Sequence, residues 1–531
     1  MKNAAGIIFR SLILILVGVA IGIYLHQSTF FLHGLNLSAG NNDKISKVLN
    51  LVKENYVDSV NSDSLEGVAV NNLLQNLDPH SLYLQPERAQ SINENLDGGF
   101  EGVGLEYQLL RDTLVITQVY SGGPAALAGL LAGDKVIDIN KKRFAGTHLT
   151  AERVDNALKN DTIPEISMAV LPCDGRLVKQ YRLKRGHVEL SSLDAAYMAA
   201  PGVGYIKISK FASTTDPDFR KAFDKLKAQG LKKLVLDIRG NGGGYLSTAT
   251  SLADEFLPKD KLIVYTKGAH EERKDYFSTD SGLFKQGKLA VLIDEYSASA
   301  SEILAGALQD LDRATIVGRR SFGKGLVQEQ FPFGDGSAIN LTVARYYTPS
   351  GRSIQKSYKG GAESYHNDLA QRMRKGEFFS AQSNLNDSIF KNASAFHTAA
   401  GRKVYSGGGI MPDVFVPADS GMSTATIQAL QEQELFTAYA VDKLAPVLKK
   451  YSSSDDFMKH FTPGDDDFNR FIMYASGTLK EMDSRDLLLS KNSIKTLIKA
   501  SAARLKWGDD AYFEVLNSND AALNKAIAAV Q

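Results

Sequence analysis

The sequence predicts an α/β protein of about three domains, and three observations lead to this fold class. Apolar runs at residues 234–238 and 289–293 have the length of buried strands, and a segment with helical apolar spacing follows each of them. Residues 100–185 alternate between short strands and turns of glycine, proline and aspartate. From residue 424 onward the pattern is helical and amphipathic, which predicts a C-terminal helical module over residues 424–531.

The composition is that of a folded globular chain without a nucleic acid partner. The 531 residues are 44% hydrophobic and 23% charged, so large cores can form. Lysine and arginine number 61 against 60 acidic residues, and this net charge of +1 gives no basic surface for nucleic acid. The single cysteine, Cys173, cannot form an intramolecular disulfide or a two-cysteine metal site, and we expect a buried thiol.

Residues 1–30 are predicted to be a transmembrane signal anchor. Residues 12–25 are uncharged and apolar, and residues 7–9 extend this run across Arg10 towards the roughly 20 residues that a bilayer span needs. Lys2 and Arg10 precede the run, which keeps the N-terminus in the cytoplasm and exports the rest of the chain. Neither a convincing small-residue cleavage site nor a lipobox cysteine follows, so a retained anchor is favoured over a cleaved signal peptide.

Residues 41–95 are predicted to form an N-terminal helical segment. Apolar residues recur at helical spacing between residues 45 and 77, and the pattern stops at Asp78 and Pro79. We expect this segment to be a helical cap without chemistry.

A glycine-containing loop at residues 100–105 opens the strand-rich region over residues 96–187. Its glycines let successive backbone N–H groups converge on an anion, and the next strand offers an open edge to an extended peptide. Strands are predicted at residues 104–108, 114–119, 135–139, 167–171 and 178–183, with a helix at 150–159. The order of these elements resembles a PDZ domain. The resemblance implies peptide binding by Gly102, Val103, Gly104 and Leu105.

A serine turn and a lysine loop lie close together within the α/β region over residues 190–418. The turn follows the strand at 289–293 and contains Ser297, Ser299 and Ser301 before a helix with apolar spacing. Helix capping explains such serines more often than nucleophilic catalysis does, and Ser299 with Glu302 fits a capping box. A helix N-terminus also stabilises developing negative charge, so a nucleophile stays an alternative. Residues 356–402 are predicted to be an irregular excursion.

A nucleophilic serine needs a base, and the sequence offers a lysine. No histidine has neighbours typical of a catalytic base, and the Ser-x-x-Lys and Gly-x-Ser-x-Gly arrangements are absent around the turn. Lys324 lies between two glycines after an apolar strand at residues 315–317. Free lysine, with a pKa of about 10.4, is protonated at neutral pH, but burial lowers that pKa. Gln328 lies four residues further on, where it can orient a neutral amine.

The lysine loop also imitates a phosphate-binding P-loop, which is the main enzymatic alternative. Gly318, Gly323 and Lys324 have its spacing, but Gly325 occupies the position where Ser or Thr should bind magnesium. Residues 326–332 are predicted to form a strand that proline ends, whereas a P-loop leads into a helix. We therefore expect no nucleotide site.

These motifs resemble the C-terminal processing peptidases, also called tail-specific proteases. The similarity includes the serine turn, the Phe-Gly-Lys-Gly loop and the glutamine four residues later. It also includes Leu77–Ser81, the PDZ segment and residues 237–244, 347–355 and 407–414. It covers roughly two thirds of the chain. It implies a crotonase/ClpP-like protease domain with an inserted PDZ domain, in which Ser299 attacks and Lys324 accepts its proton.

The resemblance also implies the remaining parts of the site and its partners. Gln328 assists the lysine, and N–H groups of Ala300 and a glycine of the 242–244 run, assigned to Gly243, form the oxyanion hole. Two positions depart from the family pattern. Tyr296 stands where the family usually has glycine, and Gly242 stands where it usually has proline or serine. Substrates are proteins or peptides held by their C-terminal carboxylate, and no metal or organic cofactor is implied.

The predicted anchor and the resemblance together imply a single-pass protein of a bacterial inner membrane, with catalytic domains facing the periplasm. A homo-oligomer or an adaptor protein is an expected partner. The alternative without enzymatic activity is a PDZ scaffold with an inactive protease fold.

Overall fold

A computed structural model describes residues 44–110, 113–146, 149–158, 165–173, 175, 177–380 and 394–531. The chain divides into two compact units, Met1–Leu74 and Gln75–Gln531. The predicted membrane anchor at residues 1–30 lies outside the described residues. Within the described ranges, no helix is both long enough and apolar enough to cross a membrane.

Two helices lie between residues 44 and 75, where the structure describes the chain, and they confirm the helical pattern predicted there. They are α1, Lys44–Asn55, and α2, Ser62–Gln75. The side chains of Ile45, Val48 and Leu51 on α1 are exposed. Beyond Asp78 the segment predicted as helical also contains a strand, β1, Leu82–Leu84, followed by α3, Pro86–Asp97.

The region predicted to resemble a PDZ domain forms a six-stranded antiparallel sheet with two short helices. Its elements are β3, Leu105–Leu110; β4, Thr113–Val119; α4, Pro124–Leu127; β5, Lys135–Ile139; β6, Lys142–Arg143; α5, Ala151–Leu158; β7, Glu165–Leu171; and β8, Lys179–Lys184. The sheet order is β3-β4-β5-β7-β8, with β6 paired to β5, so β3 is an edge strand. The first and last strands of the region, β2, Gly99–Gly102, and β9, Gly186–Glu189, pair with each other in an antiparallel ladder. The five predicted strands are confirmed.

A six-stranded, mostly parallel sheet lies at the centre of the α/β region predicted over residues 190–418. It consists of β10, Leu193–Ala200; β11, Val203–Ile208; β12, Lys233–Asp237; β15, Leu289–Ile293; β16, Thr315–Gly318; and β21, Val414–Phe415, in that order across the sheet. Only β10 runs antiparallel to its neighbour. Both faces are covered, which explains why β12 and β15 are continuous apolar runs rather than alternating ones.

Helices cover the two faces of this sheet. One face packs against α6, Thr215–Ala228; α7, Leu246–Asp254; and α8, Ala300–Asp310. Ala526 of the last helix packs against the other face, beside Val235 and Leu292. The C-terminal end of the chain therefore completes the core of the α/β domain, although the sequence pattern assigned it to a separate helical module.

A second, five-stranded antiparallel sheet lies beside the first. It has the order β1-β18-β13-β14, with β17 also paired to β18. These strands are β13, Leu262–Lys267; β14, Lys274–Phe277; β17, Leu326–Pro332; and β18, Ala338–Tyr347. The segment after the lysine is thus a strand, as predicted, and not the helix of a P-loop.

The described parts of the predicted excursion at residues 356–402 contain regular elements. These are α9, Gly361–His366; α10, Asp368–Arg374; and β19, Ala395–His397, which pairs with β20, Lys403–Tyr405. The excursion is therefore less irregular than its composition indicated.

The C-terminal helices have a core of their own between residues 427 and 515. They are α11, Ala425–Glu432; α12, Leu435–Tyr439; a π-helical turn, Ala440–Leu444; α13, Ala445–Leu448; α14, Ser454–His460; α15, Asp465–Ala475; α16, Ser484–Leu489; α17, Lys491–Asn517; and α18, Ala521–Val530. Gly508, with φ of 79°, breaks α17 into two helical parts.

The expectation of a buried thiol is wrong, because Cys173 is exposed. It lies just after β7, outside the core of the sheet.

Candidate active site

The serine turn connects the end of β15 to the first residue of α8. Ser299 occupies the N-cap position with φ of 57° and ψ of −115°, in the left-handed region that a side chain rarely adopts. Such strain persists only where the surroundings enforce it, and it is common at functional sites. The turn therefore holds Ser299 in an imposed conformation at a helix N-terminus.

The structure separates the three serines of the turn. Ser297 Oγ donates to the carbonyl oxygen of Ile238 at 2.8 Å, and Ser301 Oγ donates to that of Asn241 at 2.8 Å. Both side chains are fully buried, so they fasten the turn to the loop after β12. Ser299 instead lines a cavity of about 440 Å³ that Lys324 and Gln328 also line.

Burial favours the neutral form of the Lys324 amine. It lowers the pKa of Lys324 from the ordinary 10.5, because the charged form loses water. The nearby carboxylates of Glu302 and Asp78 act in the opposite direction. The lysine can thus lose its proton at a lower pH than a lysine in water.

Glu302 joins the serine turn to the lysine loop. Its fully buried carboxylate accepts hydrogen bonds from the backbone N–H groups of Ser299 at 2.9 Å, Gly323 at 2.7 Å and Lys324 at 2.8 Å. The hydroxyl of Ser321 is a fourth donor. Burial raises the pKa of Glu302 to about 7, while these hydrogen bonds lower it. The predicted bond from Glu302 to the N-cap residue is therefore present, and it serves two loops.

Tyr346 on β18 makes a second connection between the same two loops. Its buried hydroxyl lies 2.7 Å from the carbonyl oxygen of Lys324 and 3.1 Å from that of Ser299. The carboxylate thus accepts from the N–H groups of both residues, and the single hydroxyl hydrogen of Tyr346 is shared between their two carbonyl oxygens.

Gln328 lies on β17 and is bonded to the neighbouring strand. Its Nε2 donates to Thr342 Oγ1 at 3.2 Å, and Thr342 Oγ1 donates to Asp78 Oδ1 at 3.1 Å. A chain of hydrogen bonds therefore leads from Gln328 to a carboxylate that precedes β1.

The two predicted oxyanion donors are placed differently. Ala300 lines the cavity beside Ser299, and its N–H is the first of the helix α8. The N–H of Gly243, however, donates to Asn241 Oδ1 at 2.8 Å and is already used. Gly242 and Gly244 line the cavity, while Gly243 packs so closely that a Cβ there would lie 2.9 Å from Ser299 Cβ. Gly244 is thus better placed than Gly243 to offer a donor.

The predicted peptide-binding loop leads from β2 into the edge strand β3. Gly104 has φ of 77°, and its carbonyl accepts from the Tyr120 N–H at 3.0 Å. Val103 and Leu105 are buried beneath the loop. A cavity of about 570 Å³ runs beside β3, lined on one side by Leu105 and Tyr107 and on the other by C-terminal helices that contribute Phe436.

No pattern in the sequence predicts a separate role in the site for His80, Asp78 or Tyr346. Burial and the charge of Lys324 lower the pKa of His80 to about 3, so the ring is neutral and lies near the lysine. Its Nε2 is 2.8 Å from the hydroxyl of Tyr365. Asp78 and His80 belong to a motif that carried the family resemblance, which was the one available signal, whereas nothing marked Tyr346.

Three family models match the chain. That of peptidase family S41 matches residues 202–363, and that of the PDZ domain matches residues 115–170. A family of unknown function, DUF8443, matches residues 426–508 in the C-terminal helices.

Relatives with similar sequences are proteases by name. The carboxy-terminal processing protease CtpB of Bacillus subtilis (strain 168) is 36% identical over 317 residues, which are 59% of this chain and 65% of that protein. A probable CtpA-like serine protease of Staphylococcus aureus (strain N315) is 34% identical over 353 residues, 66% of this chain and 69% of that protein. The match thus spans just under two thirds of the first relative and just over two thirds of the second. The structure of a photosystem II D1 C-terminal processing protease is 29% identical, covers 58% of this chain and 83% of that one, and has a TM-score of 0.32.

Proposed function

The chain belongs to peptidase family S41 as a serine-type C-terminal processing protease, and we propose that Ser299 and Lys324 are its catalytic dyad. The observation that carries the proposal is that both residues line one cavity while Glu302 and Tyr346 bind the backbone of both. Two loops held in this way keep a nucleophile and a base in register.

In the proposed reaction, the neutral amine of Lys324 takes the proton of Ser299 as Oγ attacks a peptide carbonyl. The tetrahedral intermediate breaks the C–N bond, and the leaving amine takes the proton from the lysine. Water then attacks the acyl-enzyme ester, again with the lysine as base, and releases the new C-terminus and the serine. Gln328 orients the amine throughout.

The oxyanion is proposed to bind the N–H groups of Ala300 and Gly244. Ala300 begins a helix, whose dipole adds positive potential at this point. Gly244, with φ of 146°, lies where a Cβ would be 2.1 Å from the carbonyl oxygen of Phe211, so only glycine fits. Loss of one such donor costs about 10²–10³ in rate.

The edge strand β3 and the loop at Gly102, Val103, Gly104 and Leu105 are proposed to bind the C-terminal tails of protein substrates. Support comes from the match of residues 115–170 to the PDZ family and from the position of β3, which is the edge strand of the sheet as described and lies beside a cavity. We further propose that the substrates are exported proteins and that residues 1–30 anchor the enzyme in a bacterial inner membrane, with its domains in the periplasm. We also propose that the enzyme forms a homo-oligomer or binds an adaptor protein.

Cleavage of an unfolded protein with a defined C-terminal tail tests the proposal. The native chain should degrade it, and Ser299→Ala should not. Equal degradation by both would exclude the dyad. Tail binding without any cleavage by the native chain would instead favour a PDZ scaffold with an inactive protease fold.

A further inference from the structure

We propose that Asp78 is a positioning residue for the catalytic base, acting through Thr342 on the side-chain amide of Gln328. The proposal rests on the proposed roles of Lys324 and Gln328 and adds two residues to them. Asp78 is 264 residues away from Thr342 in sequence, yet its Oδ1 is 3.1 Å from Thr342 Oγ1.

The surroundings of Asp78 use both oxygens of its carboxyl group as hydrogen-bond acceptors. The backbone N–H groups of His80 and Ser81 donate to Oδ1 at 2.8 and 3.0 Å, and the hydroxyl of Ser81 donates to Oδ2 at 2.6 Å. Thr342 Oγ1 is the fourth donor, and the aspartate side chain is only 7% exposed. Because Oδ1 already accepts from two backbone N–H groups, this oxygen is an acceptor for Thr342 Oγ1 and not a donor to it.

This arrangement fixes which group donates in the two hydrogen bonds that connect Asp78, Thr342 and Gln328. Thr342 has one hydroxyl hydrogen, and Asp78 takes it. Thr342 Oγ1 can then only accept, so Gln328 must turn its Nε2 towards Thr342, as the 3.2 Å contact has it. The carbonyl oxygen of the amide is consequently the end left for Lys324.

The direction of the amide matters for a neutral lysine. Such an amine has two N–H donors and one lone pair, and the lone pair must face Ser299 to take its proton. An amide oxygen accepts one N–H and leaves the lone pair available. An amide NH₂ in the same place would compete for that lone pair.

Strand pairing brings the parts together. Strand β1 pairs with β18 so that Leu82 faces Asn340, and the N–H of Thr342 donates to Ser81 Oγ at 3.2 Å. The β17–β18 pair places Gln328 opposite Thr342. The turn at Asp78 is therefore hydrogen-bonded to β18, the strand that pairs with the strand of Gln328.

A matched pair of variants isolates this role. Thr342→Val removes the hydroxyl at nearly constant volume, and Thr342→Ser keeps it. We expect Thr342→Val to lower kcat roughly 10- to 100-fold with little change in KM, the range typical of outer-shell partners of metal ligands, while Thr342→Ser keeps most activity. Thr250→Val, which removes a buried hydroxyl on α7, is the control for general effects of this substitution.

The pH profile provides a readout that a purely structural role would not move. Glu302 and Asp78 are the anionic groups that act on Lys324, and His80 beside it is neutral. Asp78→Asn removes one of these two charges, so the rising limb of kcat/KM should shift to lower pH while kcat falls. Thr342→Val leaves the carboxyl group of Asp78 in place, so the rising limb of the kcat/KM profile should stay at the same pH.

Equal kcat values for Thr342→Val and Thr342→Ser would overturn the inference, as would an unmoved limb in a folded Asp78→Asn protein. Thermal unfolding of each variant establishes that it is folded. Activity that survives Ser299→Ala would instead reject the proposed dyad, so the two failures are distinguishable.

Discussion

The backbone N–H of Lys324 donates a 2.8 Å hydrogen bond to Oε2 of Glu302. The same oxygen accepts from the N–H of Ser299 at 2.9 Å, so one atom sits between the proposed base and the proposed nucleophile. Glu302 is fully buried on the helix that Ser299 caps. Glu302, for which the sequence pattern predicts only helix capping, thus binds the backbone of both residues.

Glu302→Gln should loosen both loops. The carboxylate offers two acceptor oxygens to four donors, whereas an amide would turn its NH₂ towards two of them and leave N–H groups unsatisfied, at about 1–3 kcal/mol each. We expect a lower unfolding temperature and a large fall in kcat. A variant as stable and as active as the native enzyme would contradict this role.

The pH dependence of stability gives an independent check on Glu302. Its pKa is raised in the folded protein from 4.5 to about 7, so its stabilising contribution is complete below about pH 4.5 and is lost as the pH rises through 7. Between about pH 5 and pH 8, Glu302→Gln should therefore lose less stability than the native chain. Thermal unfolding at both pH values measures the difference.

Ser299→Ala and Ser301→Ala should have opposite phenotypes. Ser299 faces the cavity, so its loss should abolish hydrolysis, by about 10⁶-fold if it resembles other serine nucleophiles. Ser301 is buried and donates to the Asn241 carbonyl, so its loss should lower stability by about 1–3 kcal/mol and spare catalysis in the folded protein. Turnover rates and denaturant unfolding distinguish the two, and a catalytic defect confined to Ser301→Ala would reverse the assignment.

Lys324→Arg should be inactive although it keeps the positive charge. Arginine remains protonated under all ordinary conditions and cannot accept the serine proton. The variant should unfold at a temperature close to that of the native chain and still bind substrate. Substantial turnover by this variant would indicate that another group acts as the base.

The activity of the native enzyme should rise with pH. The base must be neutral, and burial lowers the pKa of Lys324 below its ordinary 10.5, so the limb should have its midpoint below that pH. Measurements of kcat/KM over a range in which the protein stays folded give this midpoint. A rate that falls from neutral to alkaline pH would contradict a lysine base.

Gly104→Ala should weaken tail binding selectively. Gly104 has φ of 77°, and a Cβ would lie 3.3 Å from both Gly123 Cα and Val188 Cγ2. Gly129→Ala is a matched control, because φ there is 84° and a Cβ would meet nothing within 4 Å. We expect Gly104→Ala to raise KM for a tailed substrate far more than Gly129→Ala does, with little effect on a short peptide that carries no tail. Equal effects of the two would remove the loop from tail recognition.

Local patterns in the sequence predicted most of the elements. Period-two alternation gave the five strands of the PDZ region, and apolar runs gave β12 and β15, because burial on one or both faces leaves a direct pattern. The same criteria missed β10 and misassigned the last helix, which has an amphipathic pattern that does not reveal what it packs against. The anchor predicted at residues 1–30 stays a prediction.

By itself the sequence determined the serine turn, the lysine loop and the family to which their order belongs, since these depend on residues close together in the chain. Only the tertiary structure showed that Ser297 and Ser301 are buried and hydrogen-bonded while Ser299 lines the cavity, that the N–H of Gly243 is already occupied, and that Thr342 connects Asp78 to Gln328. These relationships depend on which hydrogen-bond partners are already occupied. Most of these partners are brought together by strand register and packing between segments distant in the chain, 59 residues apart for Ser297 and Ile238 and 264 for Asp78 and Thr342, and no local pattern records them.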